Sequence, residues 1–186
     1  MLYLLGRNIF KIFFNVLYRL KIEGIDNIPQ VGGAIIASNH MSIFDPPLHG
    51  VAMYRPLYFM AKKELFNIPL LGYLIKKTNA FPIDRLRTNV TSIKYAISII
   101  NSGHLLLIFP GGTRKKNMIN IKYGIGMMAC IAQVPLIPAR ITNSDTMLSF
   151  KQIKIKYGAP IIPPQQFTKN DYSMLSEKVY KIIEAM

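Results

Sequence analysis

Ala34-Ile35-Ile36-Ala37-Ser38-Asn39-His40-Met41-Ser42-Ile43-Phe44-Asp45 is the stretch of this sequence that decides the fold class. Residues 34–38 are a short apolar run, entered from Gly32-Gly33 and left at Asn39, which reads as a buried strand. A polar turn follows, and residues 46–53 read as a helix. The same alternation recurs along the chain. Further strands are predicted at 57–61, 80–83, 105–109, 136–141 and 153–157, and further helices at 64–76, 87–101, 123–132 and 171–185. In 87–101, Val90, Ile93, Ile97 and Ile100 keep helical spacing and Gly103 follows as a stop signal. Short apolar strands alternating with helices predict an α/β fold, a mostly parallel sheet flanked by helices. The order in which the strands pair does not follow from these runs.

Composition narrows the class of protein. The chain has 186 residues, enough for one domain with a real core, and 23 basic against 9 acidic side chains give a formal net charge of +14. Apolar residues make up 51% and charged ones 17%, which excludes a disordered chain and a purely electrostatic nucleic-acid tail. Positive charge combined with hydrophobicity points to an anionic membrane surface. A basic nucleic-acid-binding domain is the non-enzyme alternative. It requires aromatics interleaved with basic residues on strands, whereas Phe10, Phe13 and Phe14 fall in the N-terminal helix. The single cysteine, Cys130, forms no internal disulfide and reads as a buried, inert thiol.

Residues 1–20, MLYLLGRNIFKIFFNVLYRL, are expected to be an amphipathic membrane anchor, with the domain proper in 21–186. Arg7, Lys11, Asn15 and Arg19 recur at helical spacing as one polar stripe, and apolar residues cover most of the rest. No run reaches the roughly 18–20 apolar residues that a membrane span needs. A wide apolar face with a basic stripe suits a helix lying in the lipid interface. The competing reading is a helix docked on the domain core. A cleaved signal peptide is not expected, because Arg19 and Lys21 occupy the place of a cleavage site.

Three polar clusters follow predicted strands, where α/β folds place their functional residues. The first, Asn39 to Asp45, sets His40 five residues before Asp45, a spacing that lets the carboxylate reach one imidazole nitrogen and leaves the other to take a proton. No activated Ser or Cys stands beside the pair, so the base would act on a substrate hydroxyl. The second cluster contains Arg85 and the third Arg114, and each guanidinium can grip a phosphate through two parallel bonds. Pro110-Gly111-Gly112-Thr113 would add backbone N–H groups at a tight turn, with Pro110-Gly111 fitting the centre of a type II turn. His49 and His104 have no carboxylate at relay spacing and read as structural or surface residues. No His, Cys and carboxylate set has metal-ligand spacing.

Taken together, these residues resemble the glycerophospholipid acyltransferases, specifically the bacterial 1-acyl-sn-glycerol-3-phosphate acyltransferases. The family's His-four-residues-Asp block matches Asn39 to Asp45. Its aromatic-then-Ile-Asp-Arg block matches Phe81-Pro82-Ile83-Asp84-Arg85. Its Phe-Pro-Glu-Gly-Thr-Arg block matches Phe109-Pro110-Gly111-Gly112-Thr113-Arg114, with Gly111 where the family has Glu. Lys122-Tyr123-Gly124 matches a Lys-x-Gly, and Val134-Pro135-Leu136-Ile137-Pro138 matches the fourth block. The blocks arrive in family order over roughly residues 20–160.

The resemblance implies transfer of an acyl chain from an acyl thioester, acyl-CoA or acyl carrier protein, to the free hydroxyl of lysophosphatidate, with no metal or bound cofactor. It implies His40 as general base, Asp45 as the residue that orients it, and Arg85 and Arg114 on the acceptor's phosphate. Asn39, Gly111, Gly112, Thr113 and Lys122, in the same blocks, are expected among the substrate-binding residues. Membrane phospholipids are the expected surroundings, at the cytoplasmic face of the cell membrane, and nucleic acid is not an expected partner. Gly111 opens a second possibility for the acceptor, another lysolipid or a neutral glyceride. The intact Arg85 and Arg114 favour a phosphorylated one.

Overall fold

A computed structural model describes residues 2–83, 90–110 and 123–186. In chain order the helices are α1 (Leu2–Tyr18), α2 (Asp45–Ala52), α3 (Pro69–Lys77), α4 (Val90–Asn101), α5 (Gly124–Ala132) and α6 (Lys169–Ala185). The strands are β1 (Lys21–Glu23), β2 (Ala34–Ser38), β3 (Leu57–Lys62), β4 (Ala80–Ile83), β5 (Leu105–Ile108), β6 (Leu136–Thr142) and β7 (Lys154–Tyr157). Among the described residues these strands form one sheet in the order β1-β7-β6-β2-β5-β3-β4. Every neighbouring pair is parallel except β6 with β7. The mostly parallel α/β sheet expected from the sequence is therefore the observed one.

Period-2 geometry divides the central strands between two cores. Ile35, Ala37, Leu106 and Ile108 face α4, α5 and α6, packing on Ile99, Met128, Ala129 and Val179. Ala34, Ile36, Leu105 and Leu107 face the other side, where α1 and α2 contribute Phe14, Tyr18, Leu48 and Val51. Coverage of both faces explains why β2 and β5 read as unbroken apolar runs rather than as alternating ones.

The predicted helix over 64–76 is divided. A 3-10 turn over Lys63–Asn67 ends at Ile68, which is extended (φ −81°, ψ 115°), and α3 begins at Pro69. The proline ring disfavours helical backbone in the residue before it and suits the first turn of a new helix. Helix α6 starts two residues before its predicted position, because Thr168 and Asp171 form a reciprocal capping box. Strand β1 was not expected; three residues carry too little periodicity to announce themselves, and its partner β7 supplies the ladder. For the helix predicted at 87–101, residues 87–89 lie outside the described residues.

Helix α1 is both docked and exposed. Phe14 is fully buried and Tyr18 nearly so, and Arg7 Nη1 donates to Met53 O at 3.4 Å beyond the end of α2. On the opposite side of the helix Ile9, Ile12, Phe13 and Val16 face outward, with Val16 72% exposed. Arg7, Lys11 and Asn15 of the polar stripe thus run along one flank of the docked face, with Arg7 turned toward the domain, while Arg19 lies past the helix end with left-handed backbone (φ 46°) and drops out of the stripe. No helix among the described residues is long and apolar enough to cross a membrane.

Candidate active site

The carboxyl ends of β2, β5, β3 and β4 lie on one edge of the sheet, because these strands are parallel. His40 sits at that edge in the turn between β2 and α2, and Asp45 opens α2. His40 Nδ1 and Asp45 Oδ2 are 2.8 Å apart. The same oxygen accepts the amides of Met41 at 2.6 Å and Ser42 at 2.8 Å. Asp45 is fully buried, while the His40 side chain keeps 16% of its surface exposed. Burial pushes the Asp45 carboxyl up. Hydrogen bonds from His40 and the Ser42 and Met41 amides, with a lowering influence of the nearby Ser144 hydroxyl, outweigh that, and its pKa ends below the ordinary carboxylate value. The result is an ionised carboxylate fixed on Nδ1 and a partly exposed imidazole whose Nε2 is available to an incoming hydroxyl.

Phe109, just past β5, stacks on the His40 ring with centroids 4.2 Å apart and planes 21° from parallel. The aromatic floor restricts rotation of the imidazole, and with the Asp45 bond it fixes where Nε2 points. Asn39, expected among the substrate-binding residues, also bonds backbone across the sheet. Its Nδ2 donates to Ile141 O at 2.9 Å, and Ile141 N donates to its Oδ1 at 2.8 Å. Asn39 therefore clamps the end of β2 to β6 and sets the level at which His40 leaves the sheet. Arg85, Gly111, Gly112, Thr113, Arg114 and Lys122, and with them the proposed turn at Pro110-Gly111, lie in or reach into stretches outside the described residues. Among the described residues no group of three or more His, Cys, Asp and Glu side chains is placed to hold a metal ion.

His49 belongs beside this site. It is fully buried, with Nδ1 2.9 Å from the Tyr157 hydroxyl and Nε2 2.9 Å from Ser38 Oγ, and its ring meets Phe109 edge-on at 6.3 Å. The signal for it was the four-residue step from Asp45 along α2, which sets both residues on one inward face. Burial drives the His49 pKa down to about 4, against the raising effect of the Asp45 charge and with a smaller lowering from His40. An unfolded histidine titrates near 6.5 (roughly), so below that pH the unfolded chain binds a proton that the folded chain refuses. This contribution to stability is complete above about pH 6.5 and falls as pH drops toward 4, by on the order of 3 kcal/mol in all. His49→Phe should flatten that part of a Tm-against-pH curve. Identical acid slopes in the variant and the wild type would mean that His49 is charged in the folded protein.

Comparison with known proteins adds an independent finding. The profile of a family described as Acyltransferase matches residues 19–142. The 1-acyl-sn-glycerol-3-phosphate acyltransferase of Bacillus subtilis (strain 168) is 33% identical over 158 residues, covering 83% of this chain and 79% of that protein. The protein of the same description from Streptococcus pneumoniae is 34% identical over 142 residues, covering 73% of this chain and 53%, about half, of that one. The crystal structure of the 1-acyl-sn-glycerophosphate acyltransferase PlsC from Thermotoga maritima matches with a TM-score of 0.72 at 24% identity, covering 89% of this chain and 69% of that chain. At that identity the likeness is one of fold.

Proposed function

This chain belongs to the acyltransferase family, and from that premise we propose that it acylates the sn-2 hydroxyl of 1-acyl-glycerol-3-phosphate, making phosphatidic acid. The acyl donor is a thioester, acyl-CoA or acyl carrier protein. The observation that carries this reading is the buried Asp45 carboxylate on His40 Nδ1, at the open edge of the sheet. His40 Nε2 takes the proton of the acceptor hydroxyl as its oxygen attacks the thioester carbonyl. The tetrahedral intermediate then collapses, the carbon–sulfur bond breaks, and the imidazolium returns its proton to the leaving thiolate. Asp45 supports the transient positive charge without itself taking the proton. Arg85 and Arg114 hold the acceptor's phosphate, with Gly111, Gly112, Thr113 and Lys122 of the matched blocks around it. The reading needs neither metal nor bound cofactor.

The test is a panel of lysophosphatidate, other lysolipids, monoacylglycerol and diacylglycerol, each against acyl-CoA and acyl carrier protein donors under matched lipid presentation. Lysophosphatidate is the expected best acceptor. Faster acylation of the neutral glycerides would instead tie Gly111 to a neutral acceptor.

The exposed face of α1 supports a peripheral, monotopic placement on the cytoplasmic face of the membrane, where both thioester donors are found. Ile9, Ile12, Phe13 and Val16 point away from the domain, while Phe14 and Tyr18 complete its core. Deleting the whole helix would therefore uncover the core. The cleaner variant is Ile12→Glu with Val16→Glu, which alters the outward face alone. Removing two such apolar anchors should weaken partitioning into anionic vesicles by at least about 10-fold at unchanged Tm. Undiminished vesicle binding by this double variant would place the membrane contact elsewhere.

A further inference from the structure

Among the described residues, the buried side-chain nitrogens and oxygens with no hydrogen-bond partner are Asp45 Oδ1 and Ser144 Oγ. Both residues are fully buried. Buried polar atoms are almost always paired, and leaving an ionised oxygen without a donor in an apolar setting is costly. These two orphans are neighbours. The Ser144 hydroxyl is close enough to the Asp45 carboxyl to help hold its pKa down, although the two atoms do not close into an ordinary hydrogen bond.

The fold brings them together through β6. Asn39 ties the backbone of Ile141 to the end of β2. Two residues later Asn143 turns left-handed (φ 65°), with its side-chain amide donating to Gln152 O at 2.8 Å. Ser144 thus follows directly on a segment anchored at Ile141 to the end of β2 and at Asn143 to Gln152. The load on the Asp45 carboxylate is lopsided: Oδ2 meets His40 and accepts the Met41 and Ser42 amides, and Oδ1 has nothing. Rotation of the carboxylate would exchange the two oxygens and release the imidazole, and a donor on Oδ1 opposes that rotation.

We propose that Ser144 is a positioning residue of the acyl-transfer reaction, its hydroxyl donating to Asp45 Oδ1 and so holding Oδ2 on His40 Nδ1. The proposal rests on His40 being the base. It extends the His–Asp pair to a third group 99 residues beyond Asp45, outside the sequence blocks that carry the family resemblance.

The experiment uses the full chain with Ser144→Ala, Ser144→Cys and Ser144→Thr, assayed with lysophosphatidate and a thioester donor beside His40→Ala. Loss of a hydrogen bond to a charged group should lower kcat by about 10-fold or more in the Ala and Cys variants. KM for both substrates should stay within about twofold, since the interaction orients the base and does not bind substrate. Thr keeps the hydroxyl and should restore most of kcat. Cys is nearly isosteric and a poor donor, so it retains the packing if Ala proves unstable. In the NMR spectrum the downfield His40 Nδ1 proton should weaken or shift in Ala and Cys and return in Thr. Unchanged kcat in Ala and Cys overturns the proposal. So does a loss of kcat that Thr fails to rescue with the His40 proton signal unmoved, because that is a packing defect. Full turnover in His40→Ala would remove the base assignment itself. An inactive His40→Ala beside a fully active Ser144→Ala would remove only the role given to Ser144.

Discussion

Replacing His40 by Ala should lower kcat by about 10²–10⁴-fold, the range for a lost general base, while the protein stays folded. The fold should survive because His40 lies in the turn after β2, partly exposed, and contributes to neither hydrophobic core. Asp45 would keep the Met41 and Ser42 amides on Oδ2, so its charge is not abandoned in the interior. Asp45→Asn provides the complementary measurement. An amide in place of the carboxylate keeps the shape, but it removes the charge that supports the imidazolium and allows the wrong tautomer to form. The Asn variant should therefore lose kcat with KM nearly unchanged. Thermal melts and single-turnover rates on the two variants decide the matter. Near wild-type turnover in His40→Ala would eliminate the proposed mechanism.

Arg85→Ala or Arg114→Ala should raise KM for lysophosphatidate by about 10- to 150-fold, the cost of losing a charge-assisted contact. KM for the thioester donor should move little, because the donor's reacting carbonyl does not depend on the acceptor's phosphate. Arg85→Lys and Arg114→Lys are expected to recover only part of the loss, since an ammonium keeps the charge without the two-pronged geometry. Steady-state kinetics with each substrate varied in turn provide the readout. Equal rises in both KM values would assign the arginines to structure instead of to phosphate binding. Gly111→Glu, which restores the family's residue, should change the rate without reversing the preference for a phosphorylated acceptor.

The His40–Asp45 pair was legible in the sequence because it is local. Five residues across one turn into a helix are enough to bring carboxylate and imidazole together, and the 2.8 Å contact needs little from the rest of the molecule beyond burial. Strands β2 to β7 were legible for a similar reason. Each is a short run between Gly, Pro, Asn or Asp, and the turn preference of those residues is a local property. The break before α3 was also written locally, in Pro69, but an apolar helical pattern running through it hid the interruption.

What the tertiary structure alone decided are the contacts between segments far apart along the chain. The antiparallel pairing of β6 with β7, and hence the place of β1 at the sheet edge, depends on which ladder partner is free after the central strands have paired. His49 read as unremarkable because its partners, Ser38 and Tyr157, stand on different strands, 11 and 108 residues away. Asn39 reads as part of a catalytic block, and its amide also bonds both backbone groups of Ile141, 102 residues on. The stack of Phe109 on His40 and the approach of Ser144 to Asp45 likewise exist only because β5 and β6 lie on either side of β2. Local spacing can bring an imidazole and a carboxylate together. The floor beneath the ring and the groups behind the carboxylate are set by strand order, a long-range pairing outcome that residue periodicity does not encode.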